Sequence, residues 1–332
     1  MTLRVFDLHC DTLDRLAFHG DASAPGGFAE HDAGIPADRM ATLANNDAYI
    51  SLARMAGFAW CQCFAAFIPD AARGDAAWNL FERVRCVWER ELECCADRLV
   101  RARTMADVET VHAAGKTAGI FTVEGASFLE DNAAAEARLD ALAEAGVRMV
   151  TLTWNGPNAL GSGNDTTDGL TAFGRVTVRE LERRGIVVDV SHLNDEGFKD
   201  VCAVAERPFV ASHSNARALC GHPRNLADWQ LRELADRRGI VGLNFCRDFL
   251  SEVHPDPTPD DVLRHVDHVL EVAGEDVPAL GSDYDGCDVP TWLDPCDHIG
   301  TLHDLLTHQF GRTVADKLFF ENARTFFARL EG

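Results

Sequence analysis

From residue 5 to the end of the chain, short apolar runs alternate with longer stretches in which apolar residues recur at helical spacing. The runs Val5–His9, Phe58–Ile68, Gly119–Glu124, Arg148–Thr153, Ile186–Ser191, Pro208–Ser212, Ile240–Phe245 and Pro278–Asp283 predict eight strands. The segments Ala76–Arg98, Ala133–Ala145, Leu170–Arg184, Leu226–Arg238 and Pro259–Ala273 predict amphipathic helices between them. Several strands are continuously apolar, as at Ile186, Val187 and Val188. That is the pattern of a parallel sheet covered on both faces. Strand–helix units without repeat or linker predict one α/β domain, a closed (β/α)8 barrel over residues 1–332, with an open doubly wound sheet as the alternative.

Local signals agree. Thr258-Pro-Asp-Asp261 supplies an N-cap, a proline at the first helical position and two acids in the first turn. Thr313 to Asp316 predicts a similar start for the last helix. His19–Pro36, rich in Gly, Ala, Pro and Asp, predicts a long loop over one barrel end.

The polar residues that close the apolar runs carry the candidate chemistry. His9 and Asp11 end the first run, and their spacing of two puts both side chains on one face. They read as a hydrogen-bonded pair or as two ligands of one metal ion. Glu124 ends the third run; it reads as a helix cap or as a carboxylate shared by two cations. His192 and His213 each follow a Ser at a strand end, and Asp283 closes the last run, with Asp285 as its competitor. One histidine at a strand end is more often structural. Six such groups converge on the C-terminal rim of a barrel, where these folds keep their active sites. The N/O donor set suits zinc, and two ions sharing a carboxylate can activate a water. His265, His268, His303 and His308 read as surface or capping residues. The Gly161-Ser-Gly163 stretch lacks a P-loop lysine, and no nucleophile elbow is present.

A formal net charge of −22 repels a phosphate backbone and argues against nucleic acid as partner. The 11 cysteines show no C-x-x-C pair, so buried free thiols in a reducing compartment are expected. The first residues lack an apolar signal core, and no stretch has the length of a membrane span. These features lead us to expect a cytoplasmic protein with no membrane partner.

Several segments together resemble the renal (membrane) dipeptidase family of the amidohydrolase superfamily over nearly the whole chain. They are Asp7-Leu-His-Cys-Asp11, Val123-Glu-Gly125, Asp189-Val-Ser-His192, Ser212-His-Ser-Asn-Ala-Arg217, His222-Pro-Arg-Asn-Leu226 and Gly281-Ser-Asp-Tyr-Asp-Gly286. The resemblance implies two Zn2+ ions per chain, one held by His9, Asp11 and Asp283, the other by His192 and His213, with Glu124 bridging. It implies that Asp283 takes the proton from a bridging water, leaving a metal-bridging hydroxide as nucleophile, and passes that proton to the leaving amine, and that Arg224 grips the substrate's terminal carboxylate. The expected substrate is then a dipeptide, and a homodimer is common in such a family. Where the family carries a histidine that holds the scissile carbonyl, this chain has Trp154 in Leu152-Thr-Trp-Asn155. An indole donates one hydrogen bond and carries no proton, so Trp154, Asn155 or Asn158 takes over that contact, or the substrate differs. The rival readings are an amidohydrolase acting on an N-acyl amino acid or other carboxylate-bearing amide or lactone, and a non-catalytic metal-binding barrel.

Overall fold

The structure, a computed structural model, describes residues 2–21 and 35–331. Most of the loop expected at His19–Pro36, residues 22–34, lies outside the described residues.

Nine strands form among the described residues: β1 (Arg4–Asp7), β2 (Ala59–Phe67), β3 (Leu99–Arg101), β4 (Thr117–Glu124), β5 (Val147–Thr151), β6 (Val187–Asp189), β7 (Val210–Ala211), β8 (Ile240–Leu243) and β9 (Pro278–Leu280). Every pairing between them is parallel. β1 pairs with both β2 and β9, and β2 pairs with β4, so eight strands close into a (β/α)8 barrel and the open sheet is ruled out. The ninth, β3, is absent from the predicted set. It pairs with Thr117–Gly119 at the start of β4, and β5 joins β4 from Phe121 onward. The preceding helix accordingly ends at Cys94 instead of Arg98, because Leu99 turns into the core in extended backbone.

The Pro259–Ala273 helix forms over the predicted residues, with Thr258 and Asp261 exchanging capping hydrogen bonds. The expected cap at Thr313 does not form. The helix starts at Arg312, after Gly311 turns the chain at φ 85°, and no side chain caps it. No described helix is long and apolar enough to cross a membrane.

The two ends of the barrel differ. Phe6, Cys61, Ile120, Met149, Val187 and Ile240, from six of the strands, form one apolar cluster with Phe320, Ala323, Phe326 and Phe327. Phe6 stacks on Phe327 with centroids 5.4 Å apart. Truncating a buried ring of this kind costs about 3–5 kcal/mol. The C-terminal helical segment thus seals the N-terminal end of the barrel, and the opposite end is left for chemistry. Near that end Gly242 and Gly281 let β8 and β9 close on Ser212, since a Cβ on either would overlap the Ser212 carbonyl oxygen.

Candidate metal centre

All six candidate ligands end barrel strands at the unsealed end. His9 and Asp11 follow β1, Glu124 is the last residue of β4, His192 follows β6, His213 follows β7 and Asp283 follows β9. The structure brings their donor atoms together. Glu124 faces both ways: Oε2 lies 3.4 Å from His9 Nε2, and Oε1 lies 2.6 Å from His192 Nε2 and 3.6 Å from His213 Nε2. His9 Nε2 is 3.3 Å from Asp11 Oδ2 and 3.8 Å from Asp283 Oδ1. Three overlapping triads arise: His9, Asp11 and Glu124; Glu124, His192 and His213; His9, His213 and Asp283. Asp283 therefore sits between the two halves, within reach of His213 as well as His9.

These residues fit a pair of borderline cations. His9 Nε2 and Asp11 Oδ1 are buried without a hydrogen-bond partner, an arrangement that costs about 1–3 kcal/mol per group unless something binds them. Imidazole nitrogens and carboxylate oxygens around a shared carboxylate are the donors zinc takes. The electrostatics point the same way. Burial and the neighbouring Asp11 push the Glu124 carboxyl up to about 7. Burial also raises Asp283. At His9 burial pulls down, but Asp11 and Glu124 more than reverse it and hold the imidazole well above its usual value. Burial keeps His192 and His213 well below theirs, so both are neutral donors.

Neighbouring side chains aim the imidazoles. His192 Nδ1 donates to Asn155 Oδ1 at 2.8 Å. Ser212 gives its only hydrogen to Asp189 Oδ2, so its oxygen accepts from His213 Nδ1 at 2.7 Å. Both rings are thereby set with Nε2 unprotonated and turned to the centre. Asp189 is itself fixed by Thr151 Oγ1 and by the Ser191 and Ser212 amides. Replacing Ser212 with Ala is expected to weaken metal binding by about 10–100-fold, measured by chelator competition. Unchanged affinity would show that the Asp189–Ser212–His213 chain does not orient the ring.

Backbone conformation also carries part of the arrangement. His192 and Asp283 adopt left-handed φ values of 69° and 61°. For residues with a Cβ this costs about 1–2 kcal/mol each.

The centre opens into a cavity of about 340 Å³ lined in part by Phe67, Trp154, Asn155, Arg224 and Phe249. Arg224 is 4% exposed; its Nη2 donates to the His213 carbonyl, and its Nε is buried without a partner. Trp154 packs edge-on against Phe67 at 5.0 Å and forms an aromatic wall. Asn155 commits its oxygen to His192 and keeps its amide nitrogen for the cavity.

Other expected residues fall elsewhere. Asn158 is used up locally: it donates to Leu152 O and accepts from Leu160 N and Gly161 N. Asp285 turns away from the centre and accepts from Thr12, Arg15 and the Tyr49 and Ile50 amides. His265 is not a surface residue: it is 1% exposed and bridges Ala216 N and Leu250 O. His303 is likewise buried, bonded to Asp316. The thiols are free, but Cys86 and Cys94 are exposed, contrary to the expectation of burial.

Two residues escape the strand-end reading. Asn244, just past β8, donates to Asp283 Oδ2 at 3.0 Å. A polar residue closing an apolar run is the same signal that marks Glu124. His222 lines the cavity, packs at a tilt against Phe249 with centroids 4.5 Å apart and accepts a hydrogen bond from the Arg224 amide on Nδ1. It lies two residues before Arg224 in the His222–Leu226 segment.

The sequence profile of the membrane dipeptidase family (peptidase family M19) matches residues 2–326. A Klebsiella pneumoniae protein described only as uncharacterized, from the region 5′ of pqqA, is 37% identical over 240 residues, 68% of this chain and 87% of its own. A solved dipeptidase described as a metallopeptidase of family M19 superposes with a TM-score of 0.86 at 31% identity, covering 99% of both chains. A Rhodobacter sphaeroides metallopeptidase, solved with a phosphinate mimic of the dipeptide L-Ala-D-Ala, also superposes with a TM-score of 0.86, at 30% identity over 99% of this chain and 100% of that one.

Proposed function

Because the chain belongs to the membrane dipeptidase family, peptidase family M19, and is a metallopeptidase on that ground, we propose that it is a two-zinc dipeptidase cleaving the amide bond of dipeptides with a free C-terminal carboxylate. The observation that carries the reading is Arg224, a buried guanidinium with an unpartnered Nε in the same cavity as the six-ligand cluster. A guanidinium there takes a carboxylate in paired hydrogen bonds. The dipeptide mimic held by the Rhodobacter sphaeroides relative supports the same substrate class.

In this reading His9, Asp11 and Asp283 would hold one ion and His192 and His213 the other, with Glu124 shared between the two sets. Bound ions of this kind lower the pKa of a shared water towards neutrality and polarise the scissile carbonyl. The chain's own residues do the rest. Arg224 fixes the carboxylate end of the substrate. Asn155 offers its amide nitrogen to the carbonyl. Phe67 and Trp154 wall the cavity and exclude water. Asp283, its Oδ2 anchored by Asn244, receives a proton on Oδ1 and returns it to the leaving amine.

The test is a panel of dipeptides, their C-terminal amides and N-acyl amino acids, with zinc-loaded protein and with Arg224→Met. Chelator-sensitive cleavage of free dipeptides is expected, with KM raised about 10–100-fold in the variant, as for loss of a charge-assisted hydrogen bond. The variant and the unsubstituted protein should converge on the amides. Equal cleavage of amides and free dipeptides would sink the carboxylate grip. Preference for N-acyl amino acids would shift the substrate to that class, with Trp154 facing the acyl group.

A further inference from the structure

A second cavity, of about 410 Å³, adjoins the one that opens from the metal centre. Asn164 lines both. Along residues 221–224 the lining alternates: His222 and Arg224 belong to the first cavity, Gly221 and Pro223 to the second. The second cavity therefore begins beside Arg224, on the side where the proposed function puts the substrate's C-terminal residue.

The edge between the cavities is a turn that the fold holds firmly. Gly163 bridges to Leu193, and a Cβ on it would overlap the Trp154 and Asn155 carbonyl oxygens. The Asp165 amide donates to Asn155 O at 2.9 Å. Asn194 Nδ2 reaches the carbonyl oxygens of Gly163, Thr166 and Asp168 at 3.2, 3.1 and 2.8 Å. This turn presents unspent acceptors. Asn164 Oδ1 is buried without a hydrogen-bond partner. Asp165 lines the first cavity and belongs to none of the ligand triads, and its carboxylate makes no ion pair or hydrogen bond among the described residues. The fixed donors nearby are already committed. Arg217 gives two bonds to Asp195, of 3.0 and 2.8 Å, and its Nε to Asn225 O. Burial and Arg224 hold His222 below its usual value, so it stands there as a neutral ring and not as a cation for Asp165.

We propose that the second cavity receives the side chain of the substrate's C-terminal residue, and that Asp165 and Asn164 select a basic chain there, lysine or arginine. A carboxylate and an amide oxygen without donors, at the edge of a cavity whose fixed donors are spent, call for an occupant that brings N–H groups and positive charge. Lysine and arginine carry theirs at the end of a long apolar stem, which leads from a carboxylate held at Arg224 towards the turn. The substrate's own ammonium group is one carbon from the scissile carbonyl, so it stays at the six-residue centre, to which Asp165 does not belong. The proposal rests on the reading of Arg224 as the carboxylate grip.

The test compares Ala-Lys with Ala-norleucine, a chain of similar length without the charge, and Lys-Ala with norleucine-Ala, on zinc-loaded protein. We expect kcat/KM to favour Ala-Lys by about 10-fold, the effect of one charge-assisted hydrogen bond, with no such preference in the second pair. Asp165→Asn should bring the ratio close to one, chiefly through KM. Thr167→Trp fills the second cavity from an exposed position in its wall and should raise KM for Ala-Lys more than for Ala-Ala. Zinc content is checked in each variant as a sign of an intact fold. A ratio near one in the unsubstituted protein, or one unchanged in Asp165→Asn, overturns the subsite. A preference confined to Lys-Ala overturns its assignment to the C-terminal residue. If no dipeptide is cleaved, the dipeptidase reading fails, and calorimetric binding of Ala-Lys and Ala-norleucine decides the subsite separately. Tighter binding of Ala-Lys would uphold it there, and equal affinities would overturn it.

Discussion

Replacing Asp283 with Asn is expected to lower kcat by about 10²–10⁴-fold, the range that a positioned acid–base group contributes, with the zinc content of the protein retained. Asparagine keeps the shape of the side chain and an oxygen towards His9. Its nitrogen takes the place of Oδ2 and gives up the 3.0 Å hydrogen bond that Asp283 accepts there from the Asn244 amide. What it loses for the chemistry is the ability to hold a proton between the water and the leaving amine. The measurement is kcat against a dipeptide together with metal content after dialysis. A rate like that of the unsubstituted protein would remove Asp283 from the proton path. Loss of zinc in step with the rate would make it a ligand first, consistent with its place in the His9–His213 triad.

Gly286→Ala is expected to empty the centre without touching a ligand. A Cβ at this position would lie 2.5 Å from Asp283 Oδ1 and closer still to Asp11 Oδ2. Both carboxylates are buried. Asp283 is tied back by Asn244, and the Gly286 amide donates to the Asp283 carbonyl at 3.1 Å. Relieving the overlap means moving one or both carboxylates out of their place at the centre. Metal retention and turnover should therefore fall together, by about 100-fold, since the overlap reaches two candidate ligands of the same ion. The fold should lose only about 1–3 kcal/mol, as for an extra methyl in a packed site. Zinc per chain and a thermal melt on the same sample decide it. A variant that keeps its zinc and its rate would show that the 283–287 loop swings clear.

The clustering of the six candidate ligands was legible because each is a charged or ionisable side chain closing an apolar run, and a barrel gathers strand ends on one rim. Asn244 carries the same mark, but its neutral amide draws no attention until Asp283 is seen beside it. The tautomers of His192 and His213 need Asn155, Ser212 and Asp189 in space, and no spacing along the chain shows that Ser212 has already given its hydrogen away. His265 was within reach of pattern reasoning. Val262, His265, Val266 and Val269 fall on one stripe of the Pro259–Ala273 helix, and all four are buried. There the helical period outranks the usual preference of histidine for the surface. β3 is too short to show a period, and its three residues are held by pairing with β4 alone.

The left-handed backbone at His192 and Asp283 has a consequence for how this chain changes over time. Each position works against the folded state and, in the proposed reading, is kept for what its side chain does, so selection for stability alone would replace it with Gly or Asn, which accept that conformation readily. A descendant relieved of its chemistry should drift first at these two positions, while Phe6 and Phe327 at the sealed end stay apolar. Among related barrels, Gly or Asn at 192 and 283 would then mark a scaffold that has outlived its activity.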